Sequence, residues 1–234
     1  FNLLAFLYVG LPIMAAVLVY VGASGPGQAI HVIYKPLCHQ LPERSWHLFG
    51  DQVIYSLDEL AVYVNLAHLT PENWKRELTQ HPGKARPIFP TEIALAVNAA
   101  IGPGNDELGY KIPLCQRDTA IYGAIFLFGV AFAIARKYRE ISPLPWWAYV
   151  GFGILPMLLD GGSQWLTFNL LPFIYWKGPA LADVLFIPPY ETWPILRVIT
   201  GSLFGIGTAW LAYPHLQEAM DDFHETLHKR FGWR

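Results

Sequence analysis

The stretch from Phe1 to Gly22 contains no charged residue. At about 20 residues it is long enough to cross the ~30 Å hydrocarbon core of a bilayer. Three more runs have the same character. They extend from Cys115 to Ala135, from Pro145 to about Gln164, and from Thr192 to about Tyr213. A chain with four such runs has few options: in lipid each backbone N–H and C=O must be satisfied within the segment, so the runs must be helices. The expectation is an all-α integral membrane protein of four transmembrane helices, with a polar insertion between helices 1 and 2. The units are 1–24 as the first span, 25–113 as an extracytoplasmic loop domain, 114–213 as spans two to four, and 214–234 as a polar helical tail. The first run also resembles the apolar core of a secretory signal, with Ala23-Ser24-Gly25 following it. Signal cores are shorter, roughly 7–15 residues, and it is read as a retained span. The chain begins without an initiator Met, so its amino terminus is expected to be truncated.

Composition agrees with this reading. Charged residues make up only 15% of the chain, against about 25% in ordinary globular proteins. Nine Trp and twelve Tyr suit aromatic belts at two bilayer surfaces. A formal charge of −2 with no basic run argues against nucleic acid as a partner. The bilayer itself, and other membrane subunits, are the expected partners.

Orientation rests on Arg136-Lys137-Tyr138-Arg139, which closes the second span. Short Lys/Arg-rich loops stay in the cytoplasm. That turn and both termini are therefore expected on the cytoplasmic side of the cell membrane, and the insertion on the other. Within the insertion, Thr70-Pro71-Glu72-Asn73 reads as a helix start. A second helix is expected from Thr91 to Ala100, ended by Gly102-Pro103-Gly104. Residues 51–60 alternate polar and apolar, which leaves strand or helix open. In the third run the apolar character continues toward Phe173, so its outer boundary stays open.

Polar residues cluster at one level of this topology. Arg117 and Asp118 open the second span, Asp160 and Gln164 close the third, and Glu191 and Arg197 open the fourth. Charges at such depth face protein rather than lipid. They form either a neutralising network that glues helices or a site for an anionic, protonatable or quinone-like ligand. The two cysteines fall at the same level. Cys38 lies in Cys38-His39-Gln40-Leu41-Pro42-Glu43-Arg44-Ser45, and Cys115 opens Cys115-Gln116-Arg117-Asp118.

These motifs, with Asp160-Gly161-x-x-Gln164 and Arg197-x-x-Thr200-Gly201, resemble a family of small prokaryotic integral membrane proteins catalogued only as a domain of unknown function. Relatives there mostly carry Gly where Ala120 stands and have a much shorter first loop. The long stretch from Val53 to Gly109 therefore looks peculiar to a subgroup. The resemblance implies a polytopic fold in which the motifs belong together, and it implies no activity.

Chemistry must come from the residues, and three options stand. A Cys38–Cys115 disulfide would close a loop of about 77 residues and stabilise by roughly 4 kcal/mol. A zinc-like metal site would use Cys38, His39 and Cys115, with Asp118, Asp160 or His47 as a fourth ligand. A thiol-redox pair would use the two cysteines near Arg44 and Arg117. Two function classes follow. One is a structural or assembly subunit of a larger membrane complex, stapled at its outer face. The other is a metal or thiol-redox site at that face. His224 and His228 stand at i, i+4, and a solvated helix face is the simpler account of them. No phosphate loop, nucleophile elbow or His-Glu-x-x-His is present.

Overall fold

The computed structural model describes residues 2–66, 90–166 and 193–232. The expected helix start at Thr70, the Pro188-Pro189 loop and Glu191 lie outside them. Helix α1 (Asn2–Tyr20) is followed by α2 (Ser24–Tyr34), a 3-10 turn (Pro42–Arg44) and strand β1 (Ser45–Leu48). Then come α3 (Leu57–Tyr63), α4 (Pro90–Ile101), β2 (Gly104–Asn105) and β3 (Gly109–Cys115). Helix α5 (Gln116–Ala135) continues directly from β3. A further helical run has three pieces, α6 (Trp146–Tyr149), a π turn (Val150–Ile154) and α7 (Leu155–Trp165), and α8 (Pro194–Phe231) ends the fold.

Three of these helices are long and apolar enough to cross a membrane: α1, α5 and α8, with mean hydropathies of 2.3, 1.8 and 1.5. Their outward faces carry exposed Leu3, Leu4, Phe6, Leu127, Ile134, Ile195 and Ile199. In water such faces would be unfavourable; against acyl chains they are at no disadvantage. The run expected as the third span is helical from Trp146 to Trp165, but the π turn divides it. Pro156 supplies the reason: it has no N–H for the carbonyl one turn earlier, and the helix widens just before it. Trp146 and Trp147 are exposed at one end of this run and Trp165 at the other, as interfacial anchors are.

Two other prolines sit inside helices, and other elements take up the carbonyls they release. Pro12 cannot bond the carbonyl of Tyr8, and the Tyr34 hydroxyl from α2 donates to that oxygen at 2.9 Å. Pro214 cannot bond the carbonyl of Trp210, and Leu144 N–H donates to it at 3.4 Å. The fourth span and the polar tail, read from the sequence as separate units, are therefore one helix of 38 residues. It ends on Gly232 in a left-handed conformation.

Helices α5 and α8 pack through Gly201-x-x-x-Gly205. A Cβ on Gly205 would lie 2.3 Å from the carbonyl oxygen of Ile121, and one on Gly201 would lie 2.8 Å from that of Arg117. Backbone cannot give way as a flexible side chain can, so only glycine permits this approach. Gly205→Leu is expected to cost at least the 1–3 kcal/mol typical of overpacking. Detergent unfolding of the variant against wild type measures it.

The insertion is not purely helical. β1, β3 and β2 form a three-stranded antiparallel sheet with β3 central. β1 pairs with β3 at Ser45↔Cys115, then at His47↔Lys111 and Leu48↔Tyr110. The irregularity between the first two pairs accommodates Pro113, which has no N–H for a ladder. Residues 51–60, open in the sequence, resolve into a loop and α3. Ser56 Oγ accepts from Glu59 N–H at 3.2 Å, and Glu59 Oε2 accepts from Ser56 N–H at 2.7 Å. This reciprocal cap starts the helix. Leu41, Tyr55, Leu57, Leu60, Ile93, Val97 and Leu108 form the core of this head. A second cluster, built on Ala16, Tyr34, Cys38, Ile112 and Leu114, seats the head on α1.

Candidate metal centre

Two local devices bring the cysteines together. Cys115 is the N-cap of α5: its Sγ accepts from Asp118 N–H at 3.4 Å, and its carbonyl accepts from Thr119 Oγ1 at 2.9 Å. That cap sets Asp118 one turn into the helix on the same side as the sulfur. Cys38 follows α2, where its N–H donates to Tyr34 O at 2.9 Å. The Ser45↔Cys115 pairing then anchors the far end of the Cys38–Ser45 motif beside Cys115.

The result is one compact group. Cys38 Sγ, Cys115 Sγ and a carboxylate oxygen of Asp118 all lie within 4.8 Å of one another. Both cysteines are free thiols rather than the halves of a bridge. The neighbouring Cys115 thiol, with the Gln40 N–H, pulls the Cys38 thiol down to about 7 despite its burial. The nearby Cys38 sulfur, together with burial, pushes Cys115 well above its ordinary value.

His39 is not in the group. It is exposed, because adjacent residues of an extended loop project to opposite sides, and Asp118 stands in the third position instead. His47 is not in it either. Its ring is fully buried edge-on to Tyr55, with centroids 5.1 Å apart, and neither ring nitrogen has a hydrogen-bond partner among the described residues.

The polar residues of the bundle split into two sets around the first turn of α5. Asp118 joins the thiols on one side. On the other, Arg117 Nη2 donates to Asp160 Oδ2 at 2.5 Å and to Gln164 Oε1 at 3.0 Å. Thr200 Oγ1 donates to the same Asp160 oxygen at 2.9 Å. Arg197 Nη1 donates to Gln116 Oε1 at 3.3 Å, and Gln116 Nε2 donates to Ser45 O at 3.2 Å. Arg44 belongs to the head, where its Nε lies 3.6 Å from Glu43 Oε1. Thr200 and Gln116 were not among the expected network residues. Each sits inside a quoted motif as a neutral residue, and only the packing of the elements shows that it bonds a charged partner.

The donor set has a clear preference. Two sulfurs and one carboxylate suit a thiophilic borderline cation such as zinc and do not suit magnesium or calcium, which take oxygen ligands. With zinc–sulfur bonds of about 2.3 Å, two sulfurs on one tetrahedral ion stand about 3.8 Å apart. From within 4.8 Å, the two sulfurs would close by no more than about an ångström to meet that geometry. Three protein ligands leave a fourth position for water or an incoming ligand.

Residues 108–211, a little under half of the chain, match a family model described as "Predicted membrane protein (DUF2085)". The match includes Cys115, Arg117, Asp118, Asp160, Gln164 and Arg197 but stops short of the Cys38–Ser45 motif. No curated protein and no solved structure matches the chain. The chain is thus similar to a membrane protein family of unknown function.

Proposed function

We propose that this membrane protein carries a zinc-class metal site, formed by Cys38, Cys115 and Asp118, at the non-cytoplasmic end of a four-span bundle. The observation that carries the reading is the convergence of two free thiols and a carboxylate within 4.8 Å. The ligands come from distant parts of the chain, so an ion there would clasp the head to the start of α5. Orientation follows from the basic turn at Arg136–Arg139, which lies at the opposite end of α5 from Cys115. Both termini are then cytoplasmic, and the head, inserted between the first two spans, faces outward.

Elemental analysis of protein purified without chelators tests this. The expected result is stoichiometric zinc in wild type and its loss in Cys38→Ser and Cys115→Ser. Each of these is expected to weaken binding by more than the 10–100-fold that losing an outer partner of a ligand costs. Metal-free protein that also fails to take up added zinc would overturn the proposal.

Two other readings have an observation apiece. The approach of two free thiols to within 4.8 Å favours a thiol-redox pair, which would appear as a reducing-gel mobility shift in metal-free protein. The Arg117–Asp160–Thr200 bonds, which tie α5, α7 and α8, favour a scaffold or assembly subunit of a larger complex. Co-purification of stoichiometric partner chains in mild detergent would raise that reading above the first.

A further inference from the structure

Gln40 is buried and has φ of +53°, in the left-handed region that side chains other than glycine rarely adopt. Such a conformation persists only where the surroundings over-determine it, and it collects at functional sites. Here the surroundings can be named. Gln40 Nε2 donates to His31 O at 2.7 Å, its Oε1 accepts from His31 Nδ1 at 3.3 Å, and its carbonyl accepts from Lys111 Nζ at 3.1 Å. Three bonds to two other elements thus fasten one residue. What this fastening delivers is the remaining polar group: Gln40 N–H donates to Cys38 Sγ at 3.4 Å.

We propose that Gln40 is a positioning residue for the metal site, locked in a strained backbone conformation so that its N–H aims at Cys38 Sγ and holds that sulfur toward Cys115 and Asp118. The inference rests on the metal reading above and deepens it. His31 and Lys111 act as the bolts, and the peptide N–H as the finger on the ligand. Partners that orient a metal ligand in this way contribute about 10–100-fold to affinity.

The lock makes an ordering that simple packing cannot. Alanine at position 40 loses both His31 bonds, keeps only the Lys111 bond to the backbone carbonyl, and still disfavours positive φ, so the loop relaxes and the N–H turns away. Glycine loses the same His31 bonds but adopts positive φ freely, so the N–H stays aimed. If Gln40 only filled space, glycine would be the worse replacement, because it leaves the larger cavity.

The experiment uses the full chain in detergent, with wild type, Gln40→Ala and Gln40→Gly. Zinc affinity is measured by competition with a chromophoric chelator. In parallel, the metal-free proteins are treated with diamide, which takes two electrons and two protons from the two thiols to close Cys38–Cys115, and the rate is followed on non-reducing gels. Gln40→Ala is expected to bind zinc about 10–100-fold more weakly than wild type, with Gln40→Gly between the two. Crosslinking rates should fall in the same order. Alanine equal to wild type in both assays, or glycine below alanine, would overturn the inference. If wild type takes no zinc yet the crosslinking order holds, the metal reading fails and the positioning role stands. If zinc binds and neither assay separates the variants, the reverse is true.

Discussion

Lowering the pH from 7 to 4 is expected to unfold the head while the membrane helices stay folded. His31 and His47 are both buried, and burial pulls each from the ordinary 6.5 to about 4. Lys111 adds to the effect at both rings by repelling a second positive charge. Lys35 does the same at His31. The folded-state values lie below the unfolded ones, so the stability these rings contribute is present above pH 6.5. It is lost as pH falls through the window from about 6.5 to about 4. A shift of that size corresponds to roughly 3 kcal/mol per histidine. Together they approach the whole stability of a small domain. Hydrogen exchange over residues 41–61 and 93–115, followed down the pH scale, measures the effect. His47→Leu removes one contribution and strands no partner among the described residues, where neither ring nitrogen is bonded. It should shift the acid midpoint downward. An unchanged midpoint would mean that His47 is not what titrates.

Asp160→Ala is expected to be the most damaging single change in the bundle. It leaves the Arg117 guanidinium without its carboxylate and removes one of the acceptors of Thr200. Breaking one side of a buried ion pair typically costs about 3–5 kcal/mol, because the remaining charge is uncompensated. Replacing both members tells a different story. The double variant Arg117→Met with Asp160→Leu takes two charges out of a low-dielectric site and is expected to come back near wild-type stability. A double variant as unstable as Asp160→Ala would show that the pair fixes the helix arrangement itself. Thermal unfolding of all three proteins in one detergent makes the comparison.

What the sequence disclosed follows from how far each signal reaches along the chain. The apolar runs that became α1, α5 and α8 are visible because a bilayer demands about 20 residues of one character. α4 was legible too, since Pro90 and Gly102 punctuate it. The sheet was not. β1 and β2 are too short to show alternation, and Pro113 argues against the central strand that contains it. The continuity of α8 through Pro214 was hidden because the group that takes the freed carbonyl, Leu144 N–H, lies 66 residues before Trp210. At the site, Cys38 and Cys115 could be paired from topology. That Asp118 joins them and His39 does not depends on the N-cap at Cys115, which fixes the facing of a single turn. Neighbouring Arg117 and Asp118 looked like one charged unit in the sequence, and the helix turns them about 100° apart, toward different partners.

The most direct test of the account is X-ray absorption at the zinc edge on the purified full chain. It predicts two sulfur scatterers at about 2.3 Å, with the remaining ligands oxygen or nitrogen. Cys38→Ser should remove one sulfur. A bound zinc with no sulfur in its shell, or a shell unaffected by Cys38→Ser, would contradict a shared corner of Cys38, Cys115 and Asp118.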